Sequence, residues 1–240
     1  MNVIRSILFN AAFYLWTGFC TLTTLLTLPL PLKWAYFPQE LWAWGTQKLL
    51  PLAGIRVEIR GAENIPKEPC LIASKHQSAW DTTIFFAITK KAAIIVKKEL
   101  LWLPIFGWYL TKLQEIPIDR SAGGAALKIM VRAAKQALSN GRSLIIFPEG
   151  TRVAVSQKKT YQPGVYALYS MLKVKAVPTA LNSGVFWPRR KFMKTPGTIV
   201  IEFLPPIEKG LSKEAFMTRL ENDIETTTDK LIAAGLKGQK

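Results

Sequence analysis

The chain has 240 residues, 49% of them hydrophobic, and 32 Lys and Arg against 16 Asp and Glu give it a formal net charge of +16. The hydrophobic share is ample for a sizeable core and excludes disorder as the default. The excess of positive charge predicts a surface that attracts nucleic acid, anionic lipid headgroups or phosphorylated substrates, without choosing among them. The two cysteines, Cys20 and Cys70, have no metal-like spacing, which is typical of ordinary thiols in a reducing compartment.

The first predicted element is an apolar helix. The run from Ser6 to Leu32 contains no charged side chain, and an uncharged run longer than about 18 residues is a candidate for lying in a bilayer. A signal peptide has a shorter apolar core and a small-residue cleavage site, so we expect this run to stay in the mature protein. Pro29 and Pro31 are predicted to end the helix, because each lacks a backbone donor and restricts the preceding residue.

A second helix is predicted at roughly residues 38–50, with Pro38 near its first turn. Its amphipathic pattern is imperfect, so we expect it to lie flat at a membrane interface while the first helix dips in. Indole rings favour the headgroup boundary, and most of the tryptophans precede residue 109, namely Trp16, Trp34, Trp42, Trp44, Trp80, Trp102 and Trp108. Residues 1–50 are therefore interpreted as a membrane anchor of two helices. The alternative is that both helices form the core of a soluble protein.

Beyond residue 50, short β-branched runs alternate with helical stretches. The predicted strands are residues 55–60, 70–74, 92–97, 116–120, 143–147, 174–180 and 198–203. Helices are predicted to begin near Trp80, Ala125 and Pro163, and a last one runs from Ser212 to about Ala234. This alternation indicates an α/β class, with a central mostly parallel or mixed sheet flanked by helices. Residues 51–240 are interpreted as one such domain behind the N-terminal two-helix anchor.

His76 is the only histidine of the chain, and Asp81 follows it by five residues. The turn that holds His76 joins a predicted strand to a predicted helix, the place where α/β sheets bind ligands. Asp81 in the first helical turns can bind one imidazole nitrogen, set the tautomer and stabilise the imidazolium, which makes a general-base dyad. The alternative is that His76 caps the helix and Asp81 is an ordinary first-turn carboxylate.

Two other chemistries are disfavoured at this turn. Ser78 could be proposed as a nucleophile, but it lacks the G-x-S-x-G elbow of serine hydrolases. A metal site is excluded, because one histidine without clustered Cys or acidic residues leaves too few ligands.

A second motif, "LIIFPEGTR", occupies residues 144–152. It is predicted to be an apolar strand that runs into a polar turn. In that turn Glu149 can accept a hydrogen bond from a hydroxyl, Gly150 lets the backbone approach a ligand, and Arg152 can hold a phosphate by a bidentate fork, with Thr151 between them. Taken alone, such a sequence is more often a solvated turn.

The two motifs together resemble the glycerolipid acyltransferase family. "HQSAWD" at residues 76–81 matches its H-x4-D box and "FPEGTR" at residues 147–152 matches its later box, in the right order and at a compatible separation. The likeness runs from about Gly61 to about Ser183 and is greatest to the bacterial 1-acylglycerol-3-phosphate acyltransferases. One departure is Lys75, where the family commonly has Asn. We expect this cation either to lower the imidazole pKa or to help hold phosphate.

Two weaker motifs agree with the resemblance. "EIPIDR" ends at Arg120 and resembles the family's second box, whose arginine helps to bind the acceptor's phosphate. "KAVPTALNSG" contains Pro178 and resembles the fourth box, which is linked to the acyl side. Both have plain alternatives, with Arg120 as a surface residue at a strand end and Pro178 as the mark of an edge strand.

The resemblance implies site residues. The implied catalytic pair is His76 and Asp81. The implied substrate-binding residues, with the two arginines on the acceptor's phosphate and the glutamate on its glycerol, are Arg120, Glu149, Gly150, Thr151 and Arg152. No metal and no cofactor are implied.

The resemblance also implies an activity. This is membrane-bound acyl transfer from an acyl thioester, either acyl-coenzyme A or acyl carrier protein, to the free hydroxyl of lysophosphatidic acid, giving phosphatidic acid. The implied location is the bacterial inner membrane, with membrane phospholipid as a partner and the catalytic domain on the cytoplasmic face. One alternative is another acceptor, such as glycerol 3-phosphate or a different lysophospholipid. A distant one is a non-enzymatic basic protein that binds membranes or nucleic acid, but the chain has no nucleic-acid motif, so no nucleic-acid partner is expected.

Overall fold

The computed structural model describes residues 1–89, 91–119 and 123–237. The helices of this part are α1 (Asn2–Thr27), α2 (Leu32–Leu49), α3 (Trp80–Ile88), α4 (Phe106–Lys112), α5 (Gly123–Ser139), α6 (Gly164–Leu172), α7 (Ser183–Phe186) and α8 (Lys213–Lys237). The strands are β1 (Ile55–Arg60), β2 (Leu71–Ser74), β3 (Ala93–Lys97), β4 (Ile116–Ile118), β5 (Leu144–Ile146), β6 (Ala176–Leu181) and β7 (Gly197–Phe203).

The strands form one mixed sheet in the order β1-β7-β6-β2-β5-β3-β4. Five neighbouring strands, from β6 to β4, are parallel to one another, and β7 joins them through an antiparallel pairing with β6. β1 pairs parallel with β7 at the far edge. The predicted α/β class and the mostly parallel or mixed sheet are confirmed.

Helices cover both faces of this sheet, because its central strands are apolar on both sides. Alternate side chains of a strand point to opposite faces, so Ile72 of β2 belongs to one core and its neighbours Leu71 and Ala73 to the other. The Ile72 face is covered by α1, α3 and α7. The Leu71 face is covered by α5, α6 and α8, where Phe216, Leu220 and Ile224 make up the apolar stripe of α8.

The edge-strand interpretation of Pro178 is wrong. Its strand, β6, lies between β7 and β2, and Pro178 is in register with Ala73 of β2. The carbonyl of Pro178 accepts from the N–H of Leu204, one residue beyond the end of β7 at Phe203. The N–H that proline lacks therefore falls where the pairing with β7 has already ended, so its loss leaves no gap in the ladder.

The start of the second helix also differs from the prediction. α1 ends at Thr27 and Pro31 is the N-cap of α2, so the two prolines separate the helices as expected. α2 begins at Leu32, however, and Pro38 lies inside it, buried. A proline inside a helix removes one backbone hydrogen bond. Packing of α2 against α1 and α3 offsets that loss, as tertiary contacts often override local propensity.

The N-terminal helix packs on the α/β domain along one face and exposes apolar side chains along the other. Phe9 is fully buried in the core beneath the sheet, and its ring meets Trp187 edge-on at 4.9 Å. The outward side chains Ile4, Leu15 and Leu22 are all more than half exposed. Among the described helices, α1 alone is long and apolar enough to cross a membrane. The division of the chain into an anchor of residues 1–50 and a domain of residues 51–240 stays an interpretation. The packing of Phe9 joins the two parts in one core.

The aromatic segment between β3 and β4 exposes much of its apolar surface. A 3₁₀ turn covers Lys98–Trp102 and α4 follows. Trp102, Phe106 and Trp108 are 75%, 47% and 57% exposed, so these three aromatic side chains lie largely outside the core.

We expect Phe9→Ala to lower the free energy of unfolding by about 3–5 kcal/mol, because it removes a fully buried ring and leaves a cavity against Trp187. The measurement is chemical unfolding in detergent micelles. Leu8→Ala, at a position 54% exposed on the same helix, is the matched control and should change the free energy by only about 0.5 kcal/mol. Equal effects of the two variants would contradict the packing of α1 on the domain.

Candidate active site

Both sequence motifs lie at the carboxyl ends of neighbouring parallel strands. β2 ends at Ser74, two residues before His76, and β5 ends at Ile146, immediately before the turn of residues 147–152. The strands pair with Ala73 opposite Ile146, so the two turns leave the sheet side by side, about 5 Å apart in the hydrogen-bonding direction. β6, on the other side of β2, ends at Leu181 and brings α7 to the same edge.

The side chains of His76 and Asp81 are in hydrogen-bonding contact. The Nδ1 atom of His76 lies 2.9 Å from Oδ2 of Asp81, whose carboxylate is fully buried. The same oxygen accepts from the backbone N–H groups of Gln77, at 2.7 Å, and Ser78, at 2.8 Å. Oδ1 accepts from the hydroxyl of Ser183 in α7. These donors fix the carboxylate, so Asp81 can hold the imidazole in one orientation.

Other contacts of this turn involve Ser78. The backbone N–H of Trp80 at the start of α3 is bound by the hydroxyl of Ser78, at 3.2 Å, and not by His76. Ser78 is fully buried in this capping position. Among the described residues, no group of three His, Cys, Asp or Glu side chains has the arrangement of a metal site.

The ring and the backbone of His76 are both held by contacts within the domain. Its ring stacks on Phe147 with 3.9 Å between the ring centroids and 17° between the planes. The backbone of His76 accepts from the N–H of Val153 at 2.8 Å and donates to the carboxylate of Glu149 at 3.2 Å. Nε2 has no hydrogen-bond partner in the described part of the chain. The nitrogen opposite the one bound by Asp81 is thus available to a substrate proton.

Burial and nearby charges favour the neutral form of this imidazole. Burial lowers the pKa of His76 below its ordinary value, and the hydrogen bond and charge of Asp81 oppose that shift. The cationic side chains of Arg152 and Arg189 lower the pKa further. A neutral imidazole with a free Nε2 can act as a proton acceptor.

Lys75 is not among the charges that lower the pKa of His76, and it is too buried to hold a phosphate. Its side chain is 2% exposed, and its ammonium donates to Oε1 of Glu149 at 2.7 Å and to Oε1 of Glu225 at 2.6 Å. Glu225 lies on α8 and also accepts from the hydroxyl of Tyr161 at 2.8 Å. Lys75 is therefore the centre of a buried ionic network that ties the His76 turn to the second motif and to the last helix.

Glu149 lies inside the protein. It is fully buried, one oxygen is bound by Lys75 and the other by the N–H of His76. Burial raises the pKa of this carboxyl group, and the charge and hydrogen bonds of Lys75 oppose the shift. These contacts point to a role in joining the two turns, in place of the predicted contact with an acceptor's glycerol.

The rest of the second motif forms a tight turn. Gly150 has φ = +70°, which favours glycine, and its N–H donates to the carbonyl of Phe147 at 2.8 Å. Thr151 and Arg152 follow and are partly exposed. Burial and then the nearby charges of Arg189 and Arg190 lower the pKa of Arg152, and Asp81 opposes the shift.

Arg120, the predicted arginine of the second box, lies outside the described residues. The strand before it, β4, ends at Ile118, and β3 separates it from β5. Ser183 and Phe147 were not predicted as site residues. Ser183 lies within the stretch that resembles the family, but neither its spacing nor its type indicated a bond to Asp81.

We expect Lys75→Met to lower the free energy of unfolding by about 3–5 kcal/mol, because it leaves Glu149 and Glu225 buried without a cation. Lys158→Met is the matched control, since it breaks an exposed lysine–aspartate pair with Asp229 and should change stability little. Chemical unfolding of both variants in micelles makes the comparison, and a small effect of Lys75→Met would contradict the network.

Known proteins resemble this chain in sequence and in fold. A family model described as Acyltransferase matches residues 56–182. The chain is 37% identical over 214 residues to the 1-acyl-sn-glycerol-3-phosphate acyltransferase of Pseudomonas aeruginosa, covering 85% of this chain and 81% of that protein. It is 29% identical to the human 1-acyl-sn-glycerol-3-phosphate acyltransferase alpha, covering 78% and 69%. The crystal structure of the 1-acyl-sn-glycerophosphate (LPA) acyltransferase of Thermotoga maritima shares the fold, with a TM-score of 0.75 at 22% identity over 96% and 95% of the two chains. The chain therefore belongs to the acyltransferase family.

Proposed function

We propose that this protein transfers a fatty acyl group from an acyl thioester to the free hydroxyl of lysophosphatidic acid, giving phosphatidic acid and a free thiol. The observation that supports it most directly is the His76–Asp81 pair, 2.9 Å apart, with the second imidazole nitrogen free beside Arg152. The names of the curated relatives support the choice of acceptor.

His76 is the general base of this mechanism. Its Nε2 takes the proton of the acceptor hydroxyl as the oxygen attacks the thioester carbonyl, and Asp81 stabilises the imidazolium that forms. When the tetrahedral intermediate collapses, the carbon–sulfur bond breaks and the imidazolium returns the proton to the thiolate. The acyl group goes directly from sulfur to oxygen, so no acyl-enzyme forms and no metal or cofactor takes part.

Binding of the acceptor relies on the second motif. The guanidinium of Arg152 holds the phosphate by a bidentate fork, and Arg120 is a second phosphate ligand. The turn around Gly150 and Thr151 brings the substrate close to the backbone. Glu149 joins this turn to the His76 turn, so the phosphate and the hydroxyl are presented in fixed relation to the base.

The N-terminal part attaches this site to a bilayer. One side of α1 packs on the domain, and the other side exposes large apolar side chains, which suits contact with acyl chains. The net charge of +16 concentrates an anionic lipid acceptor and an acidic donor, either acyl-coenzyme A or acyl carrier protein. Both donors belong to the cytoplasm, so the domain faces that side of the membrane.

We expect His76→Ala to abolish acyl transfer while leaving the fold intact, because the imidazole lies at the edge of the sheet and not in the core. The measurement is transfer from labelled acyl-coenzyme A to lysophosphatidic acid in micelles, with glycerol 3-phosphate and lysophosphatidylcholine as comparison acceptors. Transfer only to a comparison acceptor would replace the proposed substrate. Full activity of the variant would exclude His76 as the base.

The pH dependence should report the lowered pKa of His76. The imidazole accepts a proton only when neutral, so kcat/KM should rise with pH and level off, with a midpoint below the ordinary histidine value of about 6.5. Asp81→Asn removes the charge that favours the imidazolium and should move the midpoint to still lower pH. A midpoint unchanged in Asp81→Asn would assign the titration to the acceptor's phosphate.

A further inference from the structure

A loop outside the four sequence motifs reaches the candidate site. Residues 189–194, hereafter the arginine loop, follow Trp187 and lead towards β7. The guanidinium of Arg189 donates to the backbone carbonyl of Arg152 at 2.9 Å. Arg190 is close enough to Arg152, and Arg189 close enough to His76, to disfavour positive charge on each. Three guanidinium groups therefore gather at the open side of the dyad.

The described part of the chain supplies no carboxylate partner to this cluster. None of Arg152, Arg189 and Arg190 forms an ion pair with a carboxylate within residues 1–89, 91–119 and 123–237. The nearby carboxylate, Asp81, is already bound by His76, Ser183 and two backbone N–H groups. Like charges at short range repel one another unless an anion joins them. A ligand with a doubly charged phosphate group satisfies such a site.

The arginine loop is fixed at its other end to the membrane helix. The backbone N–H of Lys194 donates to the hydroxyl of Ser6 at 2.9 Å, and the side-chain amide of Asn10 donates to the carbonyl of Phe192 at 2.9 Å. The ammonium of Lys194 is buried and donates to Asn10 at 3.1 Å and to the carbonyls of Lys191 and Phe192. The loop thus joins α1 to the site, and Arg189 stands where a lipid headgroup from the bilayer would meet the dyad.

We propose that Arg189 is a second phosphate-binding residue for the acceptor, acting with Arg152, and that the arginine loop holds it in place through its bonds to α1. This inference rests on the proposed function. In lysophosphatidic acid the phosphate is separated from the reacting hydroxyl by only a few covalent bonds, so it must bind close to His76, as this cluster does. The phosphates of coenzyme A lie many bonds from the thioester, at the far end of its arm.

The test compares Arg189→Ala with a charge-matched control. We expect Arg189→Ala to raise the KM for lysophosphatidic acid about tenfold or more, since a charge-assisted hydrogen bond is lost, with kcat and the KM for acyl-coenzyme A nearly unchanged. Lys191→Ala removes the same charge from the same loop, at an exposed side chain without a described contact, and should leave each constant as in the wild type. Arg189→Lys keeps the charge without the fork and should fall between.

A binding measurement separates this inference from the proposed function. In a His76→Ala background, equilibrium binding of labelled lysophosphatidic acid in micelles should weaken with Arg189→Ala and not with Lys191→Ala. Weakened binding without turnover by the wild type would keep the phosphate site and refute the reaction. If the wild type turns over, and Arg189→Ala and Lys191→Ala have the same KM and the same affinity for lysophosphatidic acid, the role of Arg189 is overturned. A rise confined to the KM for acyl-coenzyme A would overturn it as well, by placing the donor's phosphates there.

Discussion

One buried carboxylate, that of Glu149, joins the two turns on which the site depends. Its oxygens bind the N–H of His76 and the ammonium of Lys75, and Lys75 continues to Glu225 on α8. A buried charge is costly unless it is paired and fully hydrogen-bonded. The arrangement therefore tolerates little displacement of either turn, and the last helix of the chain takes part in holding a site formed by strands far earlier in sequence. His76, Asp81 and Arg152 take their positions from these turns.

Opposing influences set the state of His76. Its enclosure against Phe147 and the adjacent guanidinium groups disfavour the imidazolium, and the buried carboxylate of Asp81 favours it. These influences together lower the pKa of His76, which favours the neutral imidazole, and Asp81 is a fixed partner for any charge on the ring. Asp81 is in turn held by backbone donors and by Ser183, so the tautomer that leaves Nε2 free is built into the turn.

The basic residues of the chain differ in burial and in the groups that they contact. Lys75 is internal and neutralised by glutamates, and Lys194 is buried against backbone carbonyls and Asn10. Arg152 and Arg189 have no carboxylate partner among the described residues. Net charge alone could not separate these cases, since each residue adds the same amount to the total. The loop that carries Arg189 is hydrogen-bonded to α1 through Phe192 and Lys194.

The sequence by itself determined the α/β class, the apolar N-terminal helix and the pairing of His76 with Asp81, because alternating apolar runs and a five-residue separation act over short range. It also identified the second motif at a strand end. Only the tertiary structure decided that β2 and β5 are neighbours, that Pro178 lies in a central strand, and that α2 continues through Pro38. The partners of Lys75 and Glu149, and the approach of Ser183 and Arg189, were likewise decided by folding. These contacts join residues 37 to 150 positions apart, and no local pattern specifies which distant side chain will neutralise a buried charge.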